Sequence, residues 1–169
     1  IPNTGFAPGV VTNLPAQSAA LAYSIEDILR LEIPSQKVKS DITGVPQTES
    51  GWDVTWLGND TGWLNGSAYP THKGNSVLVA HVYDSNGLPG PFASIKDLKY
   101  GDQILIKAFG LQYVYEVREV KTLRPTDSAY VFKHMEETWI TLVTCQDYNE
   151  KTGEYASRLA VRAVLVKVN

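Results

Sequence analysis

Cysteine and methionine occur once each in these 169 residues, and histidine three times. A single cysteine closes no internal disulfide and leaves the redox compartment open. Its thiol is either a small buried hydrophobe or a reactive group. Positive charge is not in excess: 15 Lys and Arg stand against 18 Asp and Glu, a net charge of −3. That removes the basic footprint on which nucleic-acid binding depends, so no nucleic-acid partner is expected. No apolar run approaches bilayer length and no signal-peptide pattern is present, so a membrane segment would have to lie outside this stretch. Repeats and a second composition regime are absent too. With 43% hydrophobic and 20% charged residues, the chain reads as one globular domain able to bury a sizeable core.

What is present is mostly strand-like. Residues 1–16, IPNTGFAPGVVTNLPA, hold three prolines and two glycines without periodicity and read as an extended tail ahead of one domain over 17–169. Leu21, Ile25, Ile28 and Leu29 recur at helical spacing over Ala20–Leu29. LRLEIPSQKVKSDITGVPQ alternates and breaks at prolines, as short strands joined by turns do. SVLVAH reads as a strand buried on both faces, and Pro91–Leu98 as a short helix with Phe92, Ile95 and Leu98 on one side. QILIKAF, LQYVYEVREV, TWITLVTC and RLAVRAVLVKV are further strands, the last two separated by the polar loop QDYNEKTGEYAS. Strands linked by short turns point to a mainly β sandwich or closed barrel with a few short helices.

Residues 50–70 set Trp52, Trp56 and Trp63 among Gly, Asn, Asp and Thr. Three tryptophans in a polar loop are either a sugar-stacking platform or pins that hold the loop to the body.

A cysteine nucleophile needs an acid/base partner and a group to stabilise the oxyanion. His72 in PTHKGN and His134 in FKHMEE read as solvated positions. His81 ends a buried strand just where a loop begins. It is either a core histidine with a backbone partner or a functional group at the sheet's rim. Cys145 likewise ends its strand, in phase with Thr141 and Val143 and out of phase with Ile140, Leu142 and Thr144. If 138–145 pairs with 158–168, Arg158 enters the second strand as Cys145 leaves the first. Arg162 lies on the same face but roughly 13 Å further along, so only one of these arginines can adjoin the thiol. The alternative for Arg158 is a surface ion pair.

Taken together these residues resemble the sortase family. TLVTC fits its T-L-x-T-C signature, DYNEKTG follows as in sortase A, and VLVAH is similar to the strand ending in the family's histidine. FASIKDLKYGDQI is similar to the segment after that strand, and the likeness runs over about residues 31–169. It implies a closed eight-stranded β-barrel and a cysteine transpeptidase. Carried over by position, Cys145 is the nucleophile, His81 the acid/base and Arg158 the group that holds substrate backbone and oxyanion. Val79, Ala80, Val143, Thr144 and Tyr155 fall where substrate contacts are expected. Ala80 replaces a glycine and Tyr155 a tryptophan of sortase A, so motif preference can differ. The implied partners are proteins with an LPxTG-like signal and an amine of cell-wall peptide or pilin lysine. The implied location is the extracellular face of the cell membrane. No cofactor is expected, and Asp41, Glu49, Asp53 and Asp60 give no calcium-binding pattern. The rivals are a cysteine peptidase that only hydrolyses, and a glycan-binding β-barrel using the 50–70 loop.

The chain itself begins Ile1-Pro2-Asn3-Thr4-Gly5, one residue from L-P-x-T-G. This is either a turn in a loose tail or a pseudo-substrate for the groove of another copy.

Overall fold

The computed structural model describes residues 29–49, 51–83, 86–149, 151 and 154–169, with backbone alone for 145–149 and 154–156. The extended tail 1–16, its IPNTG motif and the helix expected from Ala20 lie outside the described residues, apart from Leu29. Ten strands are present: β1 (Leu29–Ile33), β2 (Val38–Val45), β3 (Gln47–Thr48), β4 (Gly51–Trp52), β5 (Thr61–Leu64), β6 (Gly74–Val79), β7 (Gln103–Ala108), β8 (Leu111–Leu123), β9 (Thr138–Asn149) and β10 (Glu154–Val168). Eight close into a barrel in the order β1-β2-β5-β6-β9-β10-β8-β7, and β3–β4 form a separate short pair. The pairs β2–β5 and β6–β9 are parallel, and the others antiparallel.

Alternation along the strands builds the inside of the barrel. Leu29, Leu31 and Ile33 of β1, Ile104 and Ile106 of β7, Tyr115 and Val117 of β8, Ile140 and Leu142 of β9, and Leu159 and Val161 of β10 share one cluster. Each such side chain, fully buried, stabilises the fold by about 1.5–3 kcal/mol. Six adjacent strands also carry a second apolar layer on their outer face, with Val45 of β2, Leu64 of β5, Val77 and Val79 of β6, Val143 of β9, Ala160 of β10 and Leu123 of β8. Trp52, Val54 and Leu57 cover this layer from one loop, and Val131 and Phe132 from the four-residue helix α1 (Ser128–Val131) and the residue after it. Apolar runs such as SVLV and TLV follow directly, since those strands are buried on both sides.

Three expectations need correction. Pro91–Leu98 is a set of tight turns ending in a 3-10 segment at Ile95–Asp97, not an α-helix. Phe92, Ile95 and Leu98 are buried as expected, because a spacing of three fits the tighter coil with three residues per turn. The polar loop after Cys145 is mostly strand: β9 and β10 continue past it as Tyr155↔Tyr148 and Glu154↔Asn149. Ladder pairing satisfies the backbone there, and hydrophobic patterning was never needed for it. Within the 50–70 loop, Trp63 belongs to β5 and pairs with β2.

Candidate active site

Register sets two of the candidate residues opposite each other on neighbouring strands and leaves the third just past the end of the next strand. β9 pairs with β10 so that Cys145 lies opposite Arg158. In the parallel β6–β9 pair Val79 lies opposite Val143; β6 ends there, and His81 follows two residues on, as Cys145 follows Val143. Neighbouring strands lie about 4.8 Å apart. The order across the rim is therefore His81, Cys145, Arg158, with the cysteine in the middle. Position 145 is in phase with Thr141 and Val143 along β9, and its side chain lies outside the described atoms.

The strand ends are joined directly. Thr144 Oγ1 donates to the carbonyl of Ala80 at 2.9 Å, linking the residue before Cys145 to the residue before His81. Beyond β6 the chain folds back on His81. The Phe92 N–H donates to the His81 carbonyl at 3.2 Å and the Gly90 N–H to the Val82 carbonyl at 2.7 Å. The His81 ring is half-buried, with Nε2 at 3.0 Å from the Val54 carbonyl. His81 thus combines both readings open to it: it has a backbone partner and it stands at the rim. His134 is exposed, and His72 is engaged with the Tyr69 ring edge and with Thr71 and Pro70.

The two arginines of β10 divide as the spacing requires. Arg162 sits opposite Thr141, donates from Nε to Thr141 Oγ1 at 3.3 Å and from Nη2 to the Tyr130 carbonyl, and lies over the Tyr130 ring at 4.1 Å. Thr141 in turn donates to Asn75 Oδ1, and Asn75 Nδ2 donates to the carbonyls of Val131 and Lys133. Burial, with Glu119 beside it, pushes the Tyr130 phenol up to about 12, so a neutral ring meets the cation. Arg162 therefore fastens α1 to the barrel. Arg158, 8% exposed, donates from Nη1 to the Ser157 carbonyl and is the arginine level with the thiol.

Of the expected substrate contacts, Val79 and Val143 are buried in the outer layer. Ala80 belongs to the barrel-interior cluster and Thr144 is buried beside it. Their hydrogen bond joins the two strands at this point. The Tyr155 side chain lies outside the described atoms. The sugar-stacking platform fails on burial. Trp52, 8% exposed, stacks on Phe132, and Trp63, 2% exposed, meets Tyr69 edge-on; Trp56 alone of the three faces solvent, at 52%. Among the described residues no three His, Cys, Asp or Glu side chains converge as a metal site. Asp41 pairs with Arg30, and Asp53 accepts from Thr55.

Residues 31–166 match the Sortase domain family. The chain belongs to the sortase family. Its curated relative, sortase A of Staphylococcus aureus, is 31% identical over 77 residues, taking in 45% of this chain and 37% of that protein. The chain thus spans well under half of that relative. Among solved structures, a lid mutant of sortase A from Corynebacterium diphtheriae is 28% identical with a TM-score of 0.68, covering 84% of this chain and 71% of the other. Sortase C-1 from Actinomyces oris is 28% identical with a TM-score of 0.66, covering 82% and 73%. The eight-stranded barrel is the sortase fold.

The residue joining the strands in this sortase, Thr144, has a separable role. Thr144→Val removes its hydrogen bond and leaves the Ala80 carbonyl buried. Stability in urea should fall by about 1–3 kcal/mol and turnover should fall with it, while Thr144→Ser keeps both near wild type. Equal behaviour of the Val and Ser variants would dismiss the link.

Proposed function

We propose that this sortase is a cysteine transpeptidase that cleaves an LPxTG-like signal between Thr and Gly and passes the acyl group to an amine. The observation carrying the proposal is the register that sets Cys145 opposite Arg158, with His81 two residues beyond Val79 at the end of β6, where β6 lies beside β9. A free thiol titrates near about 8.5, and a neighbouring cation favours the thiolate. Arg158 is such a cation, and its guanidinium can also hold the oxyanion and substrate backbone. Cys145 attacks the Thr carbonyl to form a thioacyl enzyme. His81 protonates the departing glycine amine and later takes a proton from the incoming one. Val79 and Val143 floor the site with apolar surface, which suits a thioester that must outlast water until an amine arrives.

Substrates are proteins bearing the signal, and the acceptor is a cell-wall peptide amine or a pilin lysine. The place of action is the extracellular face of the membrane. Intact-mass spectrometry with an LPxTG peptide, with and without triglycine, tests the proposal. Wild type should form a thioacyl adduct that triglycine converts to ligated peptide, and Cys145→Ala should form none. An adduct that water resolves as fast with triglycine as without it would make the enzyme a peptidase. The Ile1–Gly5 motif is a proposed competitor, and deleting residues 1–16 should then speed adduct formation.

A further inference from the structure

We infer that the main-chain carbonyl of Val54 orients His81 and decides which ring nitrogen exchanges protons with substrate. The inference rests on His81 being the acid/base proposed above. A carbonyl oxygen has no proton to give, so its 3.0 Å contact with Nε2 requires hydrogen on Nε2. The neutral ring is then the Nε2–H tautomer with its lone pair on Nδ1. Nδ1 is the nitrogen left to take and return the transferable proton.

The carbonyl is firmly seated. It also accepts from the Leu57 N–H at 3.3 Å, closing a turn over 54–57, so its two lone pairs have two donors. The side chains of Trp52, Val54 and Leu57 are buried in the outer layer, and Trp52 Nε1 donates to the Asn65 carbonyl at 3.0 Å. Asp53 Oδ1 clamps the peptides flanking Val54 by accepting from Thr55 N at 3.0 Å and Thr55 Oγ1 at 2.6 Å. These bonds hold the Asp53 carboxyl below its ordinary value. The clamp is therefore present at neutral pH and lost only as pH falls through that lowered value.

Proton movements follow. The Cys145 thiolate forms a C–S bond to the Thr carbonyl carbon. The Thr–Gly C–N bond then breaks as Nδ1 of the imidazolium gives its proton to the glycine amine. The acceptor amine forms the new C–N bond and loses a proton to Nδ1, while the C–S bond breaks and the thiolate leaves. The Nε2 proton stays on Nε2 throughout, donated to the Val54 carbonyl. Val54 is a positioning residue in this scheme, the role that a third group fills for a catalytic histidine.

Long-range nitrogen–proton correlation spectra of the [15N]histidine-labelled enzyme read the tautomer, with His72→Gln and His134→Gln assigning the rings. His81 should appear as Nε2–H when neutral; a predominant Nδ1–H form would overturn the inference. In the Asp53→Ala/Thr55→Val double variant the tautomers should mix. Its kcat should fall about tenfold with KM little changed, within the range that a slightly misplaced catalytic group costs. Asp53→Asn, whose amide oxygen accepts the same bonds, should restore both. Unaltered tautomer and kcat in the double variant would overturn the role of the clamped carbonyl. Transpeptidation that survives His81→Gln would overturn the functional reading and the proton transfer with it, leaving the tautomer standing as a structural fact.

Discussion

Replacing Gly90 by alanine should unseat His81 and lower transpeptidation on the order of 10²-fold, the scale set by moving a catalytic group about 1 Å. A Cβ at Gly90 would stand 2.3 Å from the His81 carbonyl oxygen and 2.9 Å from its carbon. These are main-chain atoms and cannot rotate away. They are tied down further by the Phe92 N–H on the His81 carbonyl and by the Gly90 N–H on that of Val82. The loop must therefore shift, at a cost of about 1–3 kcal/mol, the usual range for overpacking. Gly87 provides the control. It lies in the same loop with φ of +76°, and a Cβ there meets nothing within 4 Å. Gly87→Ala should cost about 1 kcal/mol of backbone strain and leave the rate unchanged. Thermal midpoints and kcat for the two variants decide the matter, and a Gly90→Ala enzyme with wild-type kcat would remove the loop from any part in placing His81.

Arg158→Met and Arg162→Met should fail in opposite ways, although the two arginines share a face four residues apart. Without Arg162, the Thr141 hydroxyl and the Tyr130 carbonyl lose a donor, and α1 loses one of its ties to the barrel. Each hydrogen bond to a charged group contributes about 1.5–3 kcal/mol, so the urea midpoint should drop clearly. Without Arg158, the charge level with Cys145 is gone. Loss of one oxyanion-stabilising group typically costs about 10²–10³ in kcat, with a smaller effect on unfolding. Thioacyl formation with an LPxTG peptide and urea unfolding, measured on both variants, separate the roles. A reversed pattern would assign the oxyanion to Arg162.

Strand identity was readable wherever burial forces a period of two or a continuous apolar run. SVLVAH, QILIKAF, TWITLVTC and RLAVRAVLVKV all became barrel strands, and the pairing that sets Cys145 against Arg158 follows from their phases. The four-residue β5, with Gly62 inside it, was hidden because its pattern is too short to show a period. Its parallel pairing with β2 depends on partners far along the chain. The candidate side chains Cys145, His81 and Arg158 were picked out through a signature of the family. Their supports were not. The carbonyls of Val54, Ala80 and His81 belong to the main chain and carry no residue code. Two faint marks did exist, the D-x-T of Asp53–Thr55, which suits an Asx turn, and a glycine between two prolines at Pro89-Gly90-Pro91. Trp52 and Trp63 follow the pinning reading of their loop, although a polar stretch of sequence says nothing about which of its aromatic rings point inward.

The parallel pairing of β6 with β9 carries a kinetic consequence. His81 and Cys145 stand side by side in space but 64 positions apart in sequence, and β7, β8 and α1 lie between them. Such an adjacency forms only after a long loop has closed, and folds dominated by distant pairings are the slow ones, reaching completion in milliseconds to seconds. Regained catalysis on refolding should therefore trail the appearance of β structure from the local β7–β8 hairpin and coincide with closure of the barrel. A chain interrupted anywhere before β10 can build hairpins, yet it holds only separate pieces of the proposed catalytic trio.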